Sequence, residues 1–172
     1  MLKGKSNLVF IGFMGSGKSM VAQTLGRKLG KRVLSTDDLI SEQEGQSIAD
    51  IFETFGETFF RKLEEQTVEK IASSKDVIID CGGGIILNQK NIDRLKENGC
   101  LVYLSAGAEF LYKMVKDQKH RPLMNVEDPL EKIRALLAQR KSKYDQADVT
   151  VISEGKSIDE ICNEILELIK ND

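Results

Sequence analysis

Eight consecutive residues have the types and the spacing needed to bind a phosphate chain. Residues 12–19 read Gly-Phe-Met-Gly-Ser-Gly-Lys-Ser, which matches the pattern G-x-x-x-x-G-K-[S/T]. Its glycines let the backbone wrap closely around phosphate, and a helix that starts at Lys18 would point free N–H groups at the anion. Lys18 would reach the β- and γ-phosphates, and the Ser19 hydroxyl would bind Mg²⁺. The segment predicts a nucleotide site formed by Gly12, Gly15, Ser16, Gly17, Lys18, Ser19 and Met20.

A second group of residues could hold a hydroxylated carboxylic acid that accepts the phosphate. A carboxylate such as Asp37 can accept hydrogen bonds from hydroxyls and can take a proton from the attacking one. An arginine such as Arg61 can bind the acid through two hydrogen bonds. The glycines at 82–84 expose backbone N–H groups without side chains in the way. This combination favours a kinase that acts on a small molecule.

The main alternative from another class is a GTPase-like switch that binds a protein partner. Residues 80–83 read Asp-Cys-Gly-Gly and fit the D-x-x-G pattern of such switches. However, the chain contains no N-K-x-D sequence, which is the guanine signature of that class. Residues 36–75 also hold more helical sequence than a switch requires, whereas a kinase needs a segment of this kind to bind its acceptor.

Short apolar runs alternate with longer amphipathic stretches, and these elements must position both groups of residues. The runs are β-branched or aliphatic and nearly continuous, which is typical of parallel strands buried on both faces. The pattern predicts an α/β fold, a three-layer sandwich with a five-stranded parallel sheet, in a single domain over residues 1–172. The predicted strands are 8–11, 32–35, 77–80, 101–105 and 149–152, and the predicted helices are 18–29, 37–44, 48–55, 57–73, 90–98, 108–116, 129–145 and 158–169.

Composition limits the classes of partner. The chain has 172 residues and a formal net charge of −2, so it lacks the basic excess that is usual in nucleic-acid-binding proteins. The apolar run 8–14 is too short to span a membrane. The cysteines, Cys81, Cys100 and Cys162, match neither a zinc pattern nor a disulfide framework. We therefore expect a cytoplasmic protein, without nucleic-acid or membrane partners, that acts as a monomer.

The order of the motifs resembles that of the shikimate kinase family over nearly the whole chain. The phosphate loop alone is common to many functions, but Thr-Asp at 36–37, Phe-Arg-x-x-Glu at 60–64 and the triple glycine are more specific. The matching segments are GFMGSGKS at 12–19, STDDLI at 35–40, GQSIADIF at 45–52, GETFFRKLE at 56–64, GGG at 82–84, RPLM at 121–124 and RKSKY at 140–144.

The resemblance implies a P-loop kinase core with a helical substrate-binding insertion at about 37–63 and a lid at about 113–125. ATP and shikimate would be the substrates, with Mg²⁺ as the cofactor. By the same resemblance Asp37 orients or deprotonates the acceptor hydroxyl, Arg61 and Arg140 hold the shikimate carboxylate, and Gly82, Gly83 and Gly84 contact the ring. Two further residues are implied at the nucleotide: Arg121 in the lid, beside the transferring phosphate, and Lys156, near the adenine.

One position departs from the family pattern. The family commonly has Asp-Thr-Asp at the end of strand two, but this chain has Ser35-Thr36-Asp37, so one carboxylate near the metal is missing. Strand three ends in Asp80, where many P-loop enzymes have a metal-binding aspartate, and strand three is expected beside strand one. We therefore predict that Ser19 and Asp80 bind the metal. The alternative is that Asp80 only accepts hydrogen bonds and water fills the gap.

Several simpler interpretations also remain open. Arg61 lies one helical turn from Glu57, Glu64 and Glu65, so it could form an ordinary surface ion pair. Asp37 could cap the helix that follows strand two. Arg121 and Arg140 lie in basic segments and could be solvated, and the triple glycine could be a flexible turn. Within the enzymes, a kinase for gluconate or a nucleoside monophosphate would keep the phosphate loop and lose Asp37, Arg61 and Arg140.

Overall fold

Five parallel strands form the central layer of the molecule. The computed structural model describes residues 4–117 and 126–171. The strand order is β2-β3-β1-β4-β5, and every neighbouring pair is parallel. The strands are β1 Asn7–Gly12, β2 Arg32–Ser35, β3 Val77–Asp80, β4 Gly99–Ser105 and β5 Val149–Ile152. Three of the five predicted strands have these bounds, and the other two, β1 and β4, are each two residues longer than predicted.

Helices cover both faces of this sheet. Along β1, Leu8 and Phe10 face a core shared with α1 and α7, whereas Val9 and Ile11 face a core shared with α3, α4 and α6. This alternation confirms the predicted three-layer α/β sandwich. The helices are α1 Lys18–Leu29, α2 Thr36–Glu44, α3 Ile48–Ile71, α4 Gln89–Asn98, α5 Ala108–Val115, α6 Pro129–Tyr144 and α7 Ile158–Asn171, with a short 3-10 helix at Ile85–Leu87.

The two predicted helices at 48–55 and 57–73 are joined in α3, which is interrupted at Gly56. There φ is 78° and ψ is 174°, so the backbone leaves the helical conformation at the boundary that the sequence indicated. Helix α3 ends at Ile71, two residues before the predicted end. The 3-10 helix was not predicted, because three apolar residues are too few to show a period.

The loop between β2 and β3 contains both α2 and α3. A connection of this size places two helices beside the carboxyl end of the sheet, where open α/β sheets bind ligands. Part of the predicted lid, residues 118–125 with Arg121, lies outside the described residues. In the described part of the chain, no helix is both long enough and apolar enough to span a membrane.

Candidate active site

The phosphate-binding loop joins β1 to α1 and is held by close packing. Gly15 has φ of 80° and Gly17 has φ of 89°, in the left-handed region that favours glycine. A Cβ atom on Gly15 would also lie 2.8 Å from Val115 of α5. Similarly, a Cβ atom on Gly12 would lie 2.7 Å from the carbonyl oxygen of Leu104 in β4. The glycines are therefore needed both for conformation and for space.

Polar groups of this loop are buried and directed towards the nucleotide position. Lys18 is only 9% exposed, and its ammonium donates to the carbonyl of Phe13 at 3.1 Å, so it is folded over the loop. Ser16 is 2% exposed, and its hydroxyl has no hydrogen-bond partner among the described residues. A buried hydroxyl without a partner is costly, so this atom fits a site that an anion completes.

Asp80 lies at the end of β3, next to the first turn of α1. It is 7% exposed. Burial raises the pKa of its carboxyl, while a hydrogen bond from Ser19 and the charge of Lys18 lower it. In the sheet Asp80 pairs with Ser35 on β2 and with Phe10 on β1. The Asp80 carboxylate could replace the one that is missing at position 35, because Asp80 lies on the adjacent strand directly opposite Ser35.

Ser35, and not Asp37, caps the N-terminus of helix α2. The Ser35 hydroxyl accepts a hydrogen bond from the backbone N–H of Asp38 at 3.2 Å, and it is the N-cap of α2. Asp37 instead lies in the first turn of α2 and packs on the glycine loop, which is formed by Gly82, Gly83 and Gly84. A Cβ atom on Gly82 would lie 3.1 Å from Asp37 Cγ, and Thr36 accepts a hydrogen bond from Gly82 N at 2.8 Å. The interpretation of Asp37 as a helix cap is therefore wrong.

Arg61 lies on α3 between two carboxylates. Its guanidinium donates to Glu57 at 2.9 and 3.2 Å and to Glu64 at 2.6 Å. It lies 5.8 Å from the ring centre of Phe52 and 5.5 Å from that of Phe60. The simpler interpretation of a surface ion pair holds for Glu57, but Glu64 is 1% exposed. Burial raises the pKa of Glu64 to about 7, although Arg61 lowers it.

The glycine loop contacts both predicted arginines. A Cβ atom on Gly84 would overlap the Arg61 guanidinium, 2.5 Å from its Cζ atom. Arg140 of α6 donates to the carbonyl of Gly83 at 3.2 Å, and its guanidinium lies 5.4 Å from the ring centre of Phe13. The triple glycine is therefore packed between two side chains. These contacts do not fit the interpretation of the triple glycine as a flexible turn, or that of Arg140 as a solvated side chain.

One cleft of about 650 Å³ extends from the phosphate loop to Asp37 and the glycine loop, whereas Arg61 and Arg140 are not among the described residues that line it. Asp37, Asp80, Gly82 and Gly83 line it together with the loop residues Gly15, Gly17, Lys18, Ser19 and Met20. Lys156 is not among the residues that line it, and its ammonium pairs with Glu164. Among the described residues, no group of three or more His, Cys, Asp or Glu side chains forms a metal site, so protein atoms alone do not complete one.

Four further residues contribute to the site without having been assigned a role from the sequence. Glu64 holds Arg61, and its spacing in Phe-Arg-x-x-Glu was the available signal. Phe13 supports Arg140, Thr36 accepts from Gly82, and Met114, which is 52% exposed, lines the cleft. An exposed methionine on α5 carries no sequence signal, because helices often leave one apolar residue at the surface.

Comparisons with known proteins agree with this geometry. The family model for shikimate kinase matches residues 14–170. A shikimate kinase of Dehalococcoides mccartyi is 41% identical over 170 residues, covering 98% of this chain and 96% of the relative. One of Caldanaerobacter subterraneus is 40% identical over 160 residues, covering 93% and 94%. A structure of shikimate kinase from Acinetobacter baumannii in complex with shikimate has a TM-score of 0.92 at 33% identity, covering 97% of this chain and 94% of the other.

Proposed function

The chain belongs to the shikimate kinase family, and from that premise we propose that it transfers the γ-phosphate of ATP to the 3-hydroxyl of shikimate. One observation carries the proposal: Lys18 and Ser19 of the phosphate loop and Asp37 of α2 line the same cleft. Donor and acceptor can therefore meet without a large rearrangement of the core. Phosphoryl transfer depends mainly on such positioning and on charge neutralisation.

The arginines suit the carboxylate of the acceptor. Arg61 and Arg140 approach the glycine loop from α3 and α6, and they contact its last and middle residues, Gly84 and Gly83. Two guanidinium groups at neighbouring points of one loop can bind a carboxylate through several charge-assisted hydrogen bonds. Asp37, packed on Gly82, would then orient a ring hydroxyl towards Lys18 and accept the proton of that hydroxyl.

For the metal, the donor set fits Mg²⁺. The Ser19 hydroxyl and the Asp80 carboxylate are hydrogen-bonded to each other, and both are hard oxygen donors of the kind that Mg²⁺ prefers. Mg²⁺ bound there with the nucleotide would neutralise charge on the phosphates. We include Asp80 because β3 carries the carboxylate that β2 lacks at Ser35.

Titration of Mg²⁺ against nucleotide affinity tests the role of Asp80. Calorimetry of ADP binding should show that Asp80→Asn needs several-fold more Mg²⁺, and that adding Ser35→Asp partly restores the wild-type requirement. Asp93→Asn, an exposed aspartate of α4 that does not line the cleft, is the control and should leave the requirement unchanged. If Asp80→Asn binds ADP with an unaltered Mg²⁺ dependence, Asp80 is only a hydrogen-bond acceptor.

The proposal includes further parts that extend beyond the cleft. Arg121 in a lid over about 113–125 would stabilise charge on the transferring phosphate, and Lys156 would border the adenine. The proposal also includes activity as a monomer in the cytoplasm; the three cysteines, which are buried and form no disulfide, suit a reducing compartment. Size-exclusion chromatography with light scattering would measure the oligomeric state.

An acceptor screen tests the function itself. Purified protein is incubated with ATP or GTP and with shikimate, gluconate or a nucleoside monophosphate, and nucleoside diphosphate release is followed. We expect ATP with shikimate to exceed every other pair by at least about 10²-fold, because a site that binds a carboxylate with buried polar groups rejects compounds lacking it. Faster turnover with gluconate or a nucleotide would overturn the assignment of the substrate, and partner-dependent GTP hydrolysis would favour a switch.

A further inference from the structure

Glu64 is a buried carboxyl group in the acceptor half of the site. Only 1% of the surface of Glu64 is exposed. One oxygen, Oε2, accepts from Nη1 of Arg61 at 2.6 Å. The other oxygen, Oε1, is buried and has no hydrogen-bond partner within the described ranges. An ionised carboxylate usually accepts several hydrogen bonds, so this one is poorly satisfied in its charged form.

The charges around Glu64 also disfavour a second negative charge. On α3 the same guanidinium is shared with Glu57, and from α2 Asp37 acts on Glu64 with its own negative charge. Directly after β3 the buried Cys81 thiol is a further titratable neighbour. The cations of α4 do not relieve this excess, since Lys90 and Arg94 pair with Glu65. Burial is the main reason that the pKa of Glu64 rises to about 7.

A carboxylate ligand on Arg61 would add one more anion to this group. The guanidinium would then be shared by Glu57, Glu64 and the ligand, while its own charge stays fixed at one. An additional nearby anion favours the neutral form of a buried carboxyl. The ligand itself stays ionised near pH 7, because carboxylic acids titrate near pH 4. Any proton taken up on binding must therefore come to the protein.

We propose that Glu64 takes up one proton from solvent when the carboxylate of the acceptor binds to Arg61, and releases it when the product leaves. The reaction at Glu64 is the conversion of the carboxylate to the carboxylic acid, with the buffer as the proton donor. This inference rests on the proposed function, because it requires an acidic acceptor at Arg61. It makes Glu64 a positioning residue that keeps the charge of the acceptor pocket constant.

The coupling has two measurable consequences. Since the pKa of Glu64 is raised to about 7 before binding, uptake should be partial near pH 7 and should rise towards one proton at higher pH. The dissociation constant for shikimate should increase by up to about tenfold per pH unit above pH 7, until the bound form also titrates. A neutral ligand, such as the methyl ester of shikimate, should bind without proton uptake.

Calorimetry of the full-length protein tests this directly. Shikimate is titrated at pH 7.0, 7.5 and 8.0 in phosphate and in Tris, whose different ionisation enthalpies reveal the number of protons exchanged. We expect uptake in the wild type, none in Glu64→Gln, and undiminished uptake in Glu69→Gln, a control on the same helix whose exposed carboxylate pairs with Arg94 and not with Arg61. In Glu64→Gln the affinity should also become independent of pH.

Wild-type protein that binds and phosphorylates shikimate without proton uptake would overturn the inference and leave the proposed function standing. Equal uptake in Glu64→Gln and wild type would overturn it as well. Protein that neither binds nor phosphorylates shikimate, but uses another acceptor, would instead refute the proposed function. If Glu64→Gln does not fold, the comparison of shikimate with its methyl ester on wild-type protein decides the question.

Discussion

The phosphate loop and Asp37 of the acceptor pocket line one cleft, but the loop and the pocket are built in different ways. The loop is eight consecutive residues, and its shape comes from left-handed glycines and from the start of α1. The acceptor pocket uses Asp37, Arg61 and Arg140, which come from three helices and meet only on the glycine loop after β3. The residues of the loop are therefore adjacent in the sequence, whereas those of the pocket are brought together only by tertiary contacts.

The two halves also differ in how they handle charge. In the loop, a single buried ammonium, Lys18, lies beside a hydroxyl without a partner in the described residues, so the site gains from a bound anion. In the pocket, Arg61 is already paired with Glu57 and Glu64. A carboxylate must compete with these partners. Loss of Lys18 should therefore abolish function, whereas loss of a charged partner around Arg61 in the pocket should mainly alter affinity or pH dependence.

The largest effect is expected at Lys18. Lys18→Ala should abolish detectable phosphoryl transfer, since no other side chain of the loop carries a positive charge to the γ-phosphate. Circular dichroism should show an unchanged fold. Lys28→Ala on the same helix removes only an exposed ion pair with Asp159 and should retain activity within a few-fold. Normal turnover of Lys18→Ala would refute the nucleotide assignment.

Loss of either arginine should weaken shikimate binding but not ATP binding. Truncating one partner of a desolvated charge pair costs about 2–5 kcal/mol, and calorimetry would measure it. Arg61→Ala should also lower the melting temperature more than Arg140→Ala, because it leaves the buried Glu64 without its partner. Arg134→Ala, an exposed arginine of α6, should change neither quantity. Unchanged shikimate affinity in both variants would exclude the carboxylate clamp.

At Asp37 we expect a loss in rate rather than in stability. Asp37→Asn should lower kcat by about 10²-fold or more, in the range for loss of a general base. The unfolding midpoint in urea should stay near wild type, because Ser35 and not Asp37 caps α2. A kcat within a few-fold of wild type would mean that the carboxylate is not needed for transfer.

The glycine loop offers a smaller and sharper test. Gly84→Ala forces the Arg61 guanidinium to move, and displacing a side chain from its preferred rotamer should weaken shikimate binding by about tenfold. Gly83→Ala is the matched change, since the nearest atoms to its Cβ would be 3.9 Å away. Its effect should be smaller. Equal losses in both variants would mean that loop flexibility, rather than packing on Arg61, explains the glycines.

The smallest effect concerns stability. The pKa of Glu64 is about 7 in the folded protein against an ordinary value of 4.5. Between these values the folded state binds more protons than the unfolded chain, so stability falls as the pH rises, by up to about 1.4 kcal/mol per pH unit. Urea unfolding at pH 5, 6, 7 and 8 should show a flatter dependence for Glu64→Gln. Parallel profiles for the two proteins would contradict the raised pKa.

Much of the fold could be predicted from the sequence because its signals are local. The five strands are short aliphatic runs, although only β1, β3 and most of β4 are buried on both faces, since β2 and β5 lie at the edges of the sheet. The break in α3 coincides with Gly56. The position of β3 beside β1 could also be predicted from the motif order. The lid with Arg121 stays a prediction, since residues 118–125 lie outside the described part of the chain.

The sequence by itself determined the phosphate loop, the strands and the identity of the charged residues, because each depends on neighbours along the chain. Only the tertiary structure decided that Glu64 is buried while Glu57, on the same guanidinium, is exposed. It also decided that Asp80 and Ser35 are paired across two strands. Burial and charge proximity depend on which elements pack together, and those contacts set the pKa of a carboxyl and the state in which it meets its substrate.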